Sequence, residues 1–599
     1  MTKGLRKPIV GSILLLAGNF FGCGGSNTST PPPQVSVSIS PASANLPTGG
    51  SRQFTASVSG TTNTAVTWQV NGETGGDATI GEISQSGLFA APTSATRTST
   101  VSVTALAQAD PSKSASASVT ITPVVAVGVS PTTAILASSG NQQFTATVSN
   151  TLNTGVTWQV NGMPGGNASL GTISNTGLYA SPNSATTATI TAVSAADPSK
   201  SASASVTVLA AHNFGTRTTS SGLAEFYDRS SGNRFVPRGN NYIRLATLTN
   251  PNGNSILGHS TFVVGLYDSA RAETALASMQ ASGYNIVTVI LEGCCQNTIG
   301  NPAGGLSSAY IQNVVDFLRR AKAHSMAVVF ASQWLPSYGG YSEIMGPCYP
   351  KFDDINLQNL SSCGIEATIT YYRDLVHGLI GAQAPMDAIF GYELWDEYYY
   401  YSAAAPLNTT SGTITTANGQ TYDMSSASSK QQMMNDGLIY FADQVRAAIL
   451  ALDPTALVTI SFFPPEGPNP SRIGDPRIIE VYPAIASSTL DYVNLHPYPI
   501  VLNLTMDQVA QNYGFVGYQQ QKPILMGEFG AFTWAYPLIS DAVAGLKSWQ
   551  SQSCAYNFKG WLLWTWDTDE QPELWNALSQ GGLISQVLSP TTRPDPCSP

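Results

Sequence analysis

The sequence predicts a multidomain chain: two all-β sandwiches in tandem, followed by an α/β domain built as a (β/α)8 barrel. Three observations carry this. A segment near the N-terminus is repeated: Gln53-Phe54-Thr55-Ala56 recurs as Gln143-Phe144-Thr145-Ala146, and Val66–Gly72 recurs as Val156–Gly162, both at an offset of 90. Within each copy, short Val/Thr-rich runs alternate apolar and polar residues and are broken by Gly, Asn and Pro, the pattern of half-buried strands. From about residue 213 the pattern changes to apolar runs alternating with helix-length amphipathic segments, the rhythm of a parallel sheet covered by helices. A length of 599 residues also exceeds what one core accommodates.

In chain order, the first element is an export signal over residues 1–22. Lys3, Arg6 and Lys7 precede the apolar run Ile9 to Phe21, which is too short to span a bilayer comfortably. Phe20-Phe21-Gly22-Cys23-Gly24-Gly25 resembles a bacterial lipoprotein signal, which implies a lipid on Cys23, although Phe20 stands where that pattern favours Leu. The alternative is ordinary cleavage with a spare thiol at Cys23. No other segment has the length and apolarity of a membrane span, so any membrane contact is expected through this anchor alone. Residues 23–34, ending Ser-Thr-Pro-Pro-Pro-Gln, form a flexible tether.

The two repeats occupy residues 35–123 and 124–210. Asp110-Pro111-Ser112-Lys113 matches Asp197-Pro198-Ser199-Lys200 at an offset of 87, so three residues are lost between the copies. Each copy reads as a sandwich of short strands. Their Thr-Trp-x-Val and Gly-Leu-(Phe/Tyr)-Ala segments resemble bacterial immunoglobulin-like domains of group 2, and spacers are what that resemblance implies. Trp68 and Trp158 sit in an apolar alternation and are expected inside the sandwiches, not as sugar-stacking platforms.

Residues 213–599 hold eight predicted strands: Val236–Tyr242, Ile286–Leu291, Ala327–Ala331, Ile389–Leu394, Leu457–Ser461, Tyr492–Leu495, Ile524–Met526 and Gly560–Leu563. Between the second and third, Ile311, Val314, Val315, Leu318 and Ala321 share one face of a helix over Ala309–His324. A second helix is expected near Gln432–Ala451. Six of the seven cysteines lie in this part, and an even number in an exported protein suggests disulfides. Cys348 with Cys363 and Cys554 with Cys597 each close a modest loop and are the expected pairs; Cys294 and Cys295 are adjacent. Scattered histidines and the lack of a CxxC motif argue against zinc.

Active sites of such barrels gather at the C-terminal ends of strands. The fourth strand ends Tyr392-Glu393-Leu394-Trp395-Asp396-Glu397 and the seventh Met526-Gly527-Glu528-Phe529-Gly530. Carboxylates on strands three apart can face each other across the mouth, which suits retaining glycoside hydrolysis: one nucleophile and one proton donor. With these motifs, residues 213–599 resemble glycoside hydrolase family 5, the cellulase-like barrels of clan A. The opening Phe235-Val236-Pro237-Arg238-Gly239-Asn240-Asn241-Tyr242 is similar to that family's first strand. Leu490-Asp491-Tyr492-Val493-Asn494-Leu495-His496-Pro497-Tyr498 is similar to its sixth strand, and Gly560-Trp561-Leu562-Leu563-Trp564-Thr565-Trp566-Asp567 to its eighth. The resemblance implies Glu528 as nucleophile, Glu397 as acid/base, Tyr498 as the group that positions Glu528, and His496 as a pocket residue. It also implies a floor for the sugar at Trp564, with Trp566 close behind.

Two departures stand out. The family has Asn before its acid/base glutamate, where this chain has Asp396, which accepts a hydrogen bond but cannot donate one when ionised. The family's arginine on the second strand aligns with Thr288, and Arg244 is the candidate to replace it. Tyr398 to Tyr401, after the acid/base, reads equally as a platform or as packing. Asp567, Asp569 and Glu570 read as a solvated acidic loop, with binding of a hydroxyl as the alternative.

The net charge of −10 and the absence of a basic cluster beyond the first residues exclude nucleic acid as a partner. The expected partner is a β-linked carbohydrate polymer or oligosaccharide such as β-mannan or β-glucan, with no cofactor, no metal and a monomeric chain. The alternative is a surface glycan-binding protein with a degenerate barrel, motivated by Asp396 and Thr288. The expected location is the cell envelope or outside the cell.

Overall fold

The computed structural model describes residues 33–463, 477–498, 504–514 and 521–597. The export signal and Cys23 lie outside the described residues. Among the described residues no helix is long and apolar enough to cross a membrane.

In the first repeat, the long strands Ser99–Ala107 and Ser114–Thr122 pair antiparallel in the centre of a five-stranded sheet. A four-stranded sheet that includes Gly81–Ile83 and Leu88–Ala90 faces it. Apolar residues recur every second position on the long strands, so Val101, Val103, Ala117 and Val119 point inward to meet Phe54, Trp68, Ile83 and Phe89. The second repeat has the same order of elements, with Thr133–Ala137 pairing parallel to Ser201–Leu209. Trp68 and Trp158 are 6% and 5% exposed, so both are core residues and neither is a platform.

The α/β domain is built on eight runs of parallel strand: β1 (Arg238–Asn241), β2 (Ile286–Leu291), β3 (Ala327–Ser332), β4 (Ile389–Glu393), β5 (Leu457–Thr459 with Ser461–Phe462), β6 (Val493–Leu495), β7 (Ile524–Phe529) and β8 (Phe558–Leu563). Each is followed by a helix: α1 (Ser269–Ala281), α2 (Ser308–Ala323), α3 (Ser362–Gly381), α4 (Ala427–Leu450), α5 (Tyr482–Ala486), α6 (Met506–Tyr513), α7 (Ile539–Ser553) and α8 (Ser579–Leu588). The first piece of β5 pairs with β4 and the second with β6. The two edges of the sheet are thus successive pieces of one run of chain, and the sheet is a nearly closed ring that fits a barrel.

Helix starts are set by local chemistry. Asp268, Ser307, Ser361 and Ser426 accept backbone N–H groups at the first turns of α1, α2, α3 and α4, and Thr505 with Gln508 forms a capping box at α6. Helix faces rich in Leu, Val and Ile cover the outside of the ring in one large core.

The inside is layered. Ile286, Val329, Phe390, Leu457, Leu525 and Leu562 fill the end of the ring where strands begin, and Phe226 packs among them. Phe226 belongs to a three-stranded antiparallel sheet over Phe214–Thr218, Ala224–Asp228 and Arg234–Phe235, which closes that end. The open end is the one where the strands finish. Disulfides join Cys348 to Cys363, Cys554 to Cys597, and Cys294 to its neighbour Cys295.

Candidate active site

At the open end, five of the residues singled out in the sequence come together. His496 leaves the end of β6 and is almost wholly buried. Its Nδ1 lies 3.3 Å from Glu397 Oε1, 3.6 Å from Glu528 Oε2 and 3.8 Å from Asp396 Oδ1. One polar atom from each of Glu397, His496 and Glu528 lies within 4.8 Å of the other two. Tyr498 donates its hydroxyl to Glu528 Oε2 at 2.8 Å.

The backbone that delivers these groups is specialised. Glu397 has φ +58°, a left-handed conformation uncommon outside glycine and concentrated at functional sites. Its N–H donates to Ser461 Oγ at 2.8 Å, and the Ser461 hydroxyl donates to Asp396 Oδ1 at 3.2 Å, so β5 fixes the turn after β4. Asp396 turns into the cluster, towards a hydroxyl donor and an imidazole. Both suit a carboxylate.

Electrostatics follow from crowding four carboxyls around one ring. Burial works against charge on His496, and Glu528, Glu397 and Asp396 reverse it, so its pKa is pushed up to about 10. Burial pushes Glu528 well above the usual carboxylate range; Asp396 and Glu397 add to this, while His496 and the Tyr498 hydroxyl oppose it. Asp396 is also raised, by burial first and then by Glu397. Two triplets, Glu397/His496/Glu528 and Glu393/Asp396/His496, are spaced for a metal ion. His496 is common to both triplets, and its Nδ1 is within ion-pair range of Glu397, Glu528 and Asp396, an arrangement that suits proton sharing.

The remaining sequence candidates divide. Trp564, at the end of β8, is half-buried against Ile243, Ile290 and Ala331, and its indole N–H donates to Gln571 at 3.2 Å. Trp566 is 1% exposed, with its ring edge-on to Tyr284, and cannot floor a sugar. The cause is that β8 ends at Leu563, so the two-residue alternation stops before Trp566. Arg244 does not replace the missing strand-two arginine: its guanidinium pairs with Asp567 at 2.8 Å and Glu570 at 3.4 Å. Thr288 is buried beside β1. Asp567, read as solvated, bridges Arg244 and Arg271. Tyr398 and Tyr400 are wholly buried and bonded to each other, which settles those two as packing.

Several site residues escaped sequence reasoning. Glu393, inside the ring, is pushed up to about 7 by burial and by Asp396. Ser461 carried no motif. His259 and Glu292 form a pair at the end of β2: Glu292 accepts the backbone N–H of His259 at 2.9 Å and that of Cys294 at 2.9 Å. His259 sits on a hairpin, Leu245–Thr249 with Ser255–His259, that no sequence signal marked.

No protein-family model matches the chain, and no curated protein matches it. Among solved structures, the chain is similar to a β-mannanase from the blue mussel Mytilus edulis, at 15% identity over 63% of this chain and 97% of that one, TM-score 0.40. It is similar to a glycoside hydrolase family 5 mannosidase from Rhizomucor miehei, at 12% identity over 63% and 98%, TM-score 0.41. It is also similar to an endocellulase from Pyrococcus horikoshii, at 13% identity over 64% and 98%, TM-score 0.39.

Proposed function

We propose that the (β/α)8 domain is a retaining glycosidase acting on a β-linked polysaccharide or oligosaccharide of the β-mannan or β-glucan type. The observation that carries this is the approach of Glu397 and Glu528, from the ends of β4 and β7, to within 4.8 Å at their nearest polar atoms. Retaining enzymes hold their carboxyl groups about 5–5.5 Å apart, whereas inverting enzymes leave about 6.5–9.5 Å for a water.

In the first step, ionised Glu528 attacks the anomeric carbon while Glu397 gives its proton to the departing glycosidic oxygen. The C–O bond breaks and a glycosyl ester forms on Glu528. In the second, Glu397 takes a proton from water, which attacks the same carbon and releases the sugar with its original stereochemistry. Tyr498 holds Glu528 Oε2. His496 as an imidazolium places a positive charge beside Glu528 and opposes the rise that burial imposes on its pKa. Trp564 offers an aromatic surface beside the cleft, and sugar C–H faces pack on such rings.

The remainder of the chain fits a surface enzyme. Residues 35–123 and 124–210 are proposed as immunoglobulin-like spacers, and residues 1–34 as an export signal with a lipid-bearing Cys23 and tether. They would hold the barrel out towards a polymer too large to enter the cell.

The test is cleavage of a panel of β-mannans, β-glucans and xylans by the full chain, with Glu528→Gln as control. Product from the parent and none from the variant is expected. Binding of a polymer without turnover by the parent would favour a glycan-binding protein and sink the enzymatic reading.

A further inference from the structure

Glu393 is a third glutamate of the site, and the fold goes out of its way to place it. In β4, Phe390 and Gly391 together stand opposite Val329, so the strand bulges. Regular alternation would send Tyr392 inward with Phe390. After the bulge, Tyr392 packs into the outer core while Glu393 turns inward to Asn494 of β6. Gly391 permits this, because a Cβ there would stand 2.8 Å from Leu457 O.

Inside the ring, Glu393 is 1% exposed. Its Oε2 accepts from Asn494 Nδ2 at 2.7 Å, and its Oε1 has no hydrogen-bond partner among the described residues. Asn494 in turn lies against the backbone of β7: a Cβ on Gly527 would stand 1.9 Å from Asn494 Oδ1. From the other side, Asn241 of β1 donates to Gly527 O at 2.9 Å. Gly527 immediately precedes Glu528. A continuous set of contacts therefore runs from Glu393 through Asn494 to the backbone that carries Glu528.

Glu393 also faces the upper cluster. One polar atom from each of Glu393, Asp396 and His496 lies within 4.8 Å of the others. The other titratable groups around it are the phenols of Tyr492, just before β6, and Tyr372 on α3, the latter donating to the Glu393 carbonyl at 3.0 Å. Among the described residues no lysine or arginine bonds it.

We propose that Glu393 is a positioning residue for the catalytic pair: it braces the Gly527–Glu528 backbone through Asn494 and sets the charge felt by Asp396 and His496. This rests on the reading of Glu528 and Glu397 as that pair. A negative charge at Glu393 strengthens proton binding by Asp396 and His496, and its removal weakens both.

Two substitutions in the full chain separate bracing from charge. Glu393→Gln keeps an oxygen for Asn494 but removes the charge; the alkaline limb of kcat/KM against pH is expected to move down by about half a unit or more. Glu393→Asp keeps the charge but draws it back from Asn494; kcat is expected to fall roughly tenfold or more with the limb unmoved. Profiles of both variants that superimpose on the parent's would overturn the proposal. The His496 imidazole titration, followed by NMR, needs no substrate: its midpoint is expected to fall in Glu393→Gln, and an unchanged midpoint overturns the charge role. If the parent cleaves nothing, the glycosidase reading fails, and the His496 midpoint still decides whether Glu393 governs the cluster.

Discussion

At the residue scale, the bond from Tyr498 to Glu528 is one of the contacts, with the charge of His496, that oppose the effect of burial on a carboxyl. Burial favours the neutral acid, and the Tyr498 hydroxyl favours the anion. Tyr498→Phe removes the donor and leaves the ring in place. The proton affinity of Glu528 rises, so a higher pH is needed to ionise it. The acid limb of kcat/KM should move upward, and kcat/KM at neutral pH should fall roughly 10- to 100-fold, equivalent to about 1.4–2.8 kcal/mol. A pH profile with the acid limb in place would remove Tyr498 from the mechanism. Glu397 and Glu528 were legible because each follows an apolar run that ends a strand, where barrels place chemistry, and His496 and Tyr498 through the resemblance carried by the sixth strand. Arg244 and Trp566 were misread for a different reason. Where a long side chain points after its strand has ended is fixed by partners distant in sequence. For Arg244 the partners are Asp567 and Glu570, and for Trp566 it is Tyr284.

At the element scale, the strands of the ring were visible as apolar runs because both of their faces are buried. The antiparallel sheet over 214–235 and the hairpin carrying His259 were not. Their strands are short; the first packs on ring residues such as Phe390 and Leu457, and the second against Val263 and Cys295 in the loops above the ring strands. The bulge in β4 left one trace, a glycine inside a strand at Gly391, which is a known sign of close backbone approach. Gly527 in β7 is a second such position, with Asn494 filling the space a side chain would need. Gly527→Ala forces either Asn494 off Glu393 or β7 outward. The expected cost is about 1–3 kcal/mol of stability, with a fall in kcat larger than that loss of stability accounts for, because Glu528 moves with the strand. Denaturant unfolding and kcat measured on the same preparation check this. Parent-like kcat in a destabilised variant would separate strand packing from catalysis.

At the scale of the whole molecule, the covalent cross-links among the described residues all lie in the α/β domain. Both β repeats are free of cysteine, so their folding rests on alternating apolar faces, whereas the barrel carries three disulfides. Cys554–Cys597 closes a loop with a sequence separation of 43 and pins the last described segment. That segment has a specific task. The guanidinium of Arg238, 2% exposed at the start of β1, donates to the carbonyls of Leu588, Arg593 and Pro594, and burial lowers its pKa to about 10. These carbonyls are what make a buried cation tolerable there. Releasing the tail restores chain entropy to the unfolded state, about 4 kcal/mol for a loop of this length. It also loosens the acceptors around Arg238, where an unpaired buried charge is costly. Replacing both Cys554 and Cys597 with serine in the full chain should therefore lower the melting transition of the barrel in calorimetry. The transition of the cysteine-free repeats should stay where it is. A barrel transition that does not move would mean that the tail holds Arg238 without the disulfide, and a shift in the repeats as well would mean that the domains do not unfold separately.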